Sequence, residues 1–198
     1  LKRVLLKSMK YIIESIKKSD FEILGHEVEF GKVGGYPAIE VKLDNGKKVE
    51  ITGKIDRVDV LKTNDGKYVR IIDYKSSVKD INLDEVMAGL QIQLLTYMDA
   101  ITKIEDFMPA GVLYFNLIEP IIKADRNTLK EDIEGQIKKQ FKMKGIVISD
   151  INIIRKMDKD LENGSSNIVP VYIDSKGNIS EKKSSCANIE EFKKLQDY

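Results

Sequence analysis

The sequence predicts an α/β domain, a mixed β-sheet flanked by helices. Three observations carry that reading. β-Prone runs separated by tight-turn signals fill the first 75 residues, a stretch of helical period follows Asp80, and a further strand-like run then precedes another helix. With 198 residues, 42% of them apolar, the chain has material for one domain with a substantial core.

The elements follow in order. Val4, Leu5, Met9, Ile12, Ile13 and Ile16 recur at helical spacing between lysines, which predicts an amphipathic helix from Leu1 to about Lys18, ended at Ser19-Asp20. Phe21 to Phe30 and Tyr36 to Leu43 are β-prone, Asp44-Asn45-Gly46 is a hairpin turn, and a long strand runs from Lys48 to about Leu61. Asn64-Asp65-Gly66 makes a second turn, and Tyr68 to Tyr74 returns as a strand. Leu83, Val86, Met87, Leu90, Leu94, Tyr97, Met98 and Ile101 then mark a helix, and Ile92 and Leu95 on its other faces predict burial on more than one side. Pro109 to Leu117 reads as a strand, and Asn127 to about Met143 as a polar helix. The tail offers a hairpin, Val169 to Ile173 and Ile179 to Lys183 about Ser175-Lys176-Gly177, and a short helix from Asn188 to Leu195. Residues 1–145 are expected to form the core, with 146–198 an extension packed on it or part of the same domain.

Composition excludes several classes. One cysteine, Cys186, cannot build a disulfide framework, a Cys-rich zinc site or a cysteine-ligated iron-sulfur cluster from this chain alone. No apolar run approaches the roughly 20 residues that cross a bilayer, so a soluble, cytoplasmic, reducing setting without a membrane partner is expected. Neither a G-x-x-x-x-G-K-[ST] loop nor a G-x-G-x-x-G run is present; if ATP matters, its site lies in another segment or another polypeptide. Lys plus Arg number 33 against 32 for Asp plus Glu, so global charge announces no nucleic-acid partner. Local clusters at Lys7, Lys10, Lys17 and Lys18 and at Lys138, Lys139, Lys142 and Lys144 offer contacts to phosphates, or simply solvated helix faces.

The chemistry concentrates in Gly53-Lys54-Ile55-Asp56-Arg57-Val58-Asp59 and, after the turn, Arg70-Ile71-Ile72-Asp73-Tyr74-Lys75-Ser76-Ser77. If the turn is a two-residue loop at Asn64-Asp65 or at Asp65-Gly66, Asp56 lies opposite Asp73 or Lys75; a three-residue loop shifts the register by one. Asp73 and Lys75 share one face of their strand. Two residues on from Asp56 come Val58 and Val60, and two back from Asp73 come Ile71 and Val69, so the acids point to an apolar side. Two carboxylates drawn together in a partly dry site repel and lose hydration, at a cost of several kcal/mol unless a cation compensates. An all-oxygen set without a Cys or His cluster suits Mg2+ or Mn2+ rather than zinc. The bland alternative is a Lys75 salt bridge that merely holds the hairpin.

At these residues the sequence resembles the PD-(D/E)xK nuclease superfamily, and within it the RecB-like nuclease domain. Asp56 in Gly-Lys-Ile-Asp-Arg-Val-Asp is similar to that family's first metal-binding aspartate, Asp73-Tyr74-Lys75 to its "DYK" motif, and Gly89 to Tyr97 to its helical Q-x-x-x-Y motif, with Gln93 and Tyr97 at the named positions. Glu27-Val28-Glu29-Phe30-Gly31 and Pro109 to Phe115 are similar to strands of the AddB branch, the B subunits of bacterial helicase-nucleases that process DNA ends for recombinational repair. The resemblance implies a restriction-endonuclease-like core and Mg2+-dependent (or Mn2+-dependent) DNA exonuclease activity. It further implies Asp56, Asp73 and the Tyr74 carbonyl as metal ligands, Lys75 as catalytic lysine, and Gln93 and Tyr97 as site support or DNA contacts. DNA and an AddA-like partner subunit are the implied partners.

Two departures stand out. The family places a metal-binding histidine on an upstream helix, whereas the one histidine here, His26, falls in a predicted strand. Cys186 lacks the neighbours of an AddB iron-sulfur cluster, so any such cluster belongs to a full-length protein and not to this chain, which reads as a fragment of a larger subunit. Two other classes stand beside the nuclease: a catalytically inactive DNA-binding or subunit-docking scaffold, and a different RecB-like exonuclease.

Overall fold

The computed structural model describes all residues except 1, 32–34, 44, 82–84, 86–92, 104–105 and 197–198. Among the described residues one mixed sheet of six strands is flanked by helices, as the hydrophobic patterning requires. Its strands are β1 (Glu22–Phe30), β4 (Gly53–Thr63), β5 (Gly66–Lys75), β6 (Phe107–Asn116), β7 (Lys144–Ile148) and β10 (Cys186–Ala187), side by side in that order. β4 and β5 form an antiparallel hairpin, β5 and β6 run parallel, and β7 returns antiparallel to β6. The sheet draws strands from both sides of residue 145.

The expected long strand from Lys48 is two strands. β3 (Lys48–Ile51) pairs with β2 (Ile39–Lys42) as a separate ribbon, and the chain then enters β4 at Gly53. A Cβ at Gly53 would lie 2.6 Å from the Phe30 ring, so the aromatic side chain fills the space where a longer residue would break the crossing.

Alternation assigns the two faces. Tyr74 and Phe115, paired across β5 and β6, share one face, and Phe115 stacks on Phe141 of α3 (Lys130–Phe141), which stacks on Tyr11 of α1 (Lys2–Lys17) at 4.5 Å. Asp73, Lys75 and Tyr114 turn to the other face, where α2 (Gln93–Thr102) lies against β5 and β6. The part of that helix expected at Leu83, Val86, Met87, Leu90 and Ile92 falls outside the described residues; Leu94, Met98 and Ile101 are buried as expected.

α1 corrects the sequence reading. Leu5, Leu6, Met9 and Ile13 are exposed while Ser8 and Ser15 are buried, so the helix presents its small residues and Tyr11 to the fold and its aliphatic stripe outward. Sequence reasoning also missed β7 and α4 (Ile151–Met157). The signal was present: the apolar run Ile146-Val147-Ile148 is closed by Asp150, whose carboxylate accepts from the Asn152 and Ile153 amides as a helix cap. The tail hairpin is shorter than expected, with Tyr172–Ile173 (β9) pairing with Gly164–Ser165 (β8), and Glu181–Lys183 forming a 3-10 turn. A short helix, α5 (Ile189–Gln196), closes the fold.

Candidate active site

The β4–β5 turn settles the register. Thr63 pairs with Gly66, leaving a two-residue loop at Asn64-Asp65, and the ladder runs regularly to Arg57 opposite Ile72. One step further sets Asp56 opposite Asp73. Across the parallel pair Asp73 lies level with Tyr114, which faces Lys144 on β7. Between His26 opposite Arg57 and Val28 opposite Ile55, Glu27 falls opposite Asp56. A single polar row therefore crosses the sheet on one face: Glu27, Asp56, Asp73, Tyr114, Lys144.

Asp73 is nearly buried, and its carboxyl is held above the usual carboxylate range, first by burial and then by the charge of Asp56, against the opposing pull of Lys75. Lys75 Nζ lies 2.7 Å from Asp73 Oδ2, though off the hydrogen-bond direction, so that buried oxygen has an ion-pair neighbour and no hydrogen bond among the described residues. Asp56 is tied differently: its Oδ2 accepts from the Tyr74 backbone N–H at 2.9 Å. The ammonium of Lys75 donates to Gln93 Oε1 at 3.1 Å, and Gln93 Nε2 donates to the Tyr97 hydroxyl at 2.8 Å. Lys75 also stands 5.6 Å from the centre of the Tyr114 ring. Asp56, Asp73, Lys75, Gln93 and Tyr97 thus converge, while Gly89 to Ile92 of the same helical motif fall outside the described residues.

The fit to a divalent cation rests on this arrangement. Two opposed carboxylates, one with a buried oxygen that no hydrogen bond from the described residues satisfies, form a hard-oxygen donor pair of the kind Mg2+ and Mn2+ take. Among the described residues no group of three or more His, Cys, Asp or Glu is placed to hold an ion, so backbone oxygen or water must complete the shell. His26 is exposed and pairs with Arg57, on the face opposite Asp56. Cys186, in β10, is pushed up to about 11 by burial and behaves as an inert thiol. The lysines of α1 are largely engaged: Lys7 with Glu119, Lys10 with Glu134, and Lys18, just past its end, with Glu14 and Asp160.

Directly behind the site lies a cluster that sequence reading missed. Asp59 is fully buried and accepts from Arg57 Nε at 2.6 Å, Arg57 Nη2 at 2.7 Å and Arg70 Nε at 2.9 Å. Arg70 Nη2 lies 2.9 Å from the same carboxylate off the hydrogen-bond direction, Nη1 has no hydrogen-bond partner among the described residues, and the guanidinium stacks 4.6 Å over the Phe21 ring. Burial works against the charge on Arg57, yet Asp59 outweighs it and holds that guanidinium above its usual range; burial lowers Arg70. Arg57 Nη1 also reaches the Tyr74 hydroxyl at 3.5 Å, a long contact. The signal was the polar alternation Arg57, Asp59 and Arg70 on strands whose other face is already apolar.

Comparison with known proteins agrees with this geometry. A family model described as the PD-(D/E)XK nuclease superfamily matches residues 1–192. The B subunit of the ATP-dependent helicase/deoxyribonuclease from Acetivibrio thermocellus is 47% identical over 204 residues, covering 100% of this chain and 18% of that protein. The proteins of the same name from Ruminiclostridium cellulolyticum and Clostridium novyi are 43% and 45% identical, again over the whole chain and 18% of their own length. The chain thus spans less than a fifth of the length of these relatives.

Proposed function

The chain belongs to the PD-(D/E)XK nuclease superfamily, and from the site it carries we propose that it hydrolyses DNA phosphodiester bonds as the nuclease domain of a bacterial helicase-nuclease. The observation that carries this reading is the placement of Asp56 opposite Asp73, with Lys75 at 2.7 Å from the latter. Asp56, Asp73 and the Tyr74 carbonyl hold Mg2+ or Mn2+. Such an ion supplies Lewis acidity toward a phosphate oxygen and a more acidic bound water.

The residues divide the remaining work. Lys75 neutralises the buried Asp73 in the free protein and presents the same ammonium to the negative charge that builds on the phosphate as a P–O ester bond breaks. Gln93 fixes that ammonium from the far side, and Tyr97, 9% exposed in the core, fixes Gln93, so the lysine is oriented before substrate arrives. The Tyr74 N–H orients Asp56. Exonucleolytic trimming of DNA ends in recombinational repair, in the cytoplasm and beside a helicase partner, is the setting the names of the relatives support.

The test is substitution of each acid alone. Asp56→Ala and Asp73→Ala are each expected to abolish Mg2+-dependent cleavage of single-stranded DNA while the circular dichroism and melting of the protein stay native. Cleavage near the unsubstituted rate by either variant would end the assignment.

A further inference from the structure

The polar row across the sheet has opposite ends. At the β1 end stands Glu27; at the β7 end stands Lys144, the one charged residue of a strand whose other positions are buried. Lys144 pairs with Tyr114, which pairs with Asp73, so all three side chains leave the sheet on the same face. Strands lie about 4.8 Å apart, which puts Lys144 roughly 10 Å from Asp73 before its long side chain is counted. At one charge per about 3.4 Å of strand, that distance spans roughly three phosphates. The close approach of β7 is built in: Gly145, next to Lys144, has a positive φ of 135°, and a Cβ there would collide with the Val112 carbonyl oxygen.

Its present partner is a weak one. Lys144 Nζ lies 3.8 Å from Asp80 Oδ2, and both side chains are exposed to solvent, 38% and 58%. Asp80 is carried by the segment that follows Lys75. That segment is pinned by buried Asn116, which accepts from the Lys79 N–H at 2.9 Å and donates to the Lys79 carbonyl at 3.0 Å. Lys142, two residues before Lys144, is pushed below the usual lysine range by burial and by the charges of Lys144 and Lys139, so this edge carries positive charge beyond what Asp80 offsets.

We propose that Lys144 anchors a phosphate of the DNA strand held at Asp56 and Asp73, displacing Asp80, so that the strand leaves the site over β6 and β7 rather than toward Glu27 on β1. This rests on the nuclease reading. Between the two ends of the row, only the β7 end attracts a polyanion.

The test is the salt dependence of binding, by fluorescence anisotropy with an end-labelled 20-nucleotide oligothymidine in Ca2+, from 50 to 200 mM KCl. Loss of one single-strand phosphate contact lowers the slope of log K against log salt by about 0.7, so affinity should fall about 2.6-fold less over that range for Lys144→Gln than for the unsubstituted protein. Lys144→Arg should restore the slope, Asp80→Asn should tighten binding at 50 mM, and Lys139→Gln on the exposed face of α3 should change nothing. Unchanged slope and affinity in Lys144→Gln, in a protein that binds the oligonucleotide and cleaves it in Mg2+, would overturn the anchor and leave the nuclease reading standing. Failure of the unsubstituted protein to bind or cleave would overturn both.

Discussion

Asp59 is the residue whose loss the fold should feel most. Its carboxylate is fully buried and is, among the described residues, the one anion paired with two guanidiniums that are 1% and 0% exposed. Asp59→Ala leaves Arg57 and Arg70 buried without that counter-charge and removes three hydrogen bonds of 2.6 to 2.9 Å. Breaking a buried pair from one side costs about 3–5 kcal/mol, a large part of the roughly 5–15 kcal/mol that typically holds a domain together. Because Asp56 sits three residues earlier on the same strand, cleavage should fall with the folded fraction. Urea denaturation followed by circular dichroism measures the loss. The charge argument also makes a second, sharper statement: replacing the whole triad, Arg57→Met with Asp59→Leu and Arg70→Met, should recover most of the lost stability, because no unpaired charge is then left inside. A cost below about 1 kcal/mol for Asp59→Ala, or a triple variant less stable than the single one, would refute this account of the cluster.

Two predictions concern the site itself. Lys75→Ala should keep Mn2+ affinity within about tenfold while lowering the single-turnover cleavage rate roughly 100-fold or more, as expected for lost transition-state stabilisation. A change in stability with little change in rate would make the lysine a hairpin salt bridge instead. Asp73→Asn should stabilise the metal-free protein increasingly with pH. The folded carboxyl titrates above its ordinary value of 3.8, so its favourable contribution is complete below that pH and is lost as pH rises through the folded value. Urea midpoints in EDTA between pH 4 and 7 should therefore diverge, the variant gaining on the unsubstituted protein. A gap that is flat or closes toward neutral pH would contradict it.

Much of this was legible because hairpin geometry is local. Asn64-Asp65 fixes a two-residue turn, the turn fixes the register, and the register brings Asp56 to Asp73; each step follows from residues close in sequence. Gln93 and Tyr97 were legible as a pair at i, i+4, but their contact with Lys75 depends on how α2 meets β5, which periodicity does not encode. α1 shows the opposite failure. Its aliphatic stripe satisfied every rule for an inward face, yet Ser8 and Ser15 are the buried residues, because helical spacing states which face is apolar and not whether this chain supplies what covers it. β7 was missed because Lys144 and Gly145 interrupt the apolar run at its start, and both interruptions have uses: the glycine permits the close approach and the lysine faces the site side.

The two polar clusters on β4 and β5 are connected by strand alternation. Asp56 and Asp73 turn to one face and Arg57, Asp59 and Arg70 to the other, on the same two central strands, both faces of which are covered. A sheet buried on both sides ordinarily reads as a continuous apolar run. Here the second face carries two buried cations and one buried anion, a net positive charge placed just behind a pair of repelling carboxylates. That charge favours ionised acids on the first face without standing between them and solvent, where a cation and a phosphate must enter. Tyr74 joins the two sides, its hydroxyl reached by Arg57 and its backbone N–H donated to Asp56. The arrangement gives the arginine of the Gly-Lys-Ile-Asp-Arg-Val-Asp run a physical reason: from the rear it offsets the carboxylate charge that the front needs, and it steadies the peptide between Asp73 and Lys75.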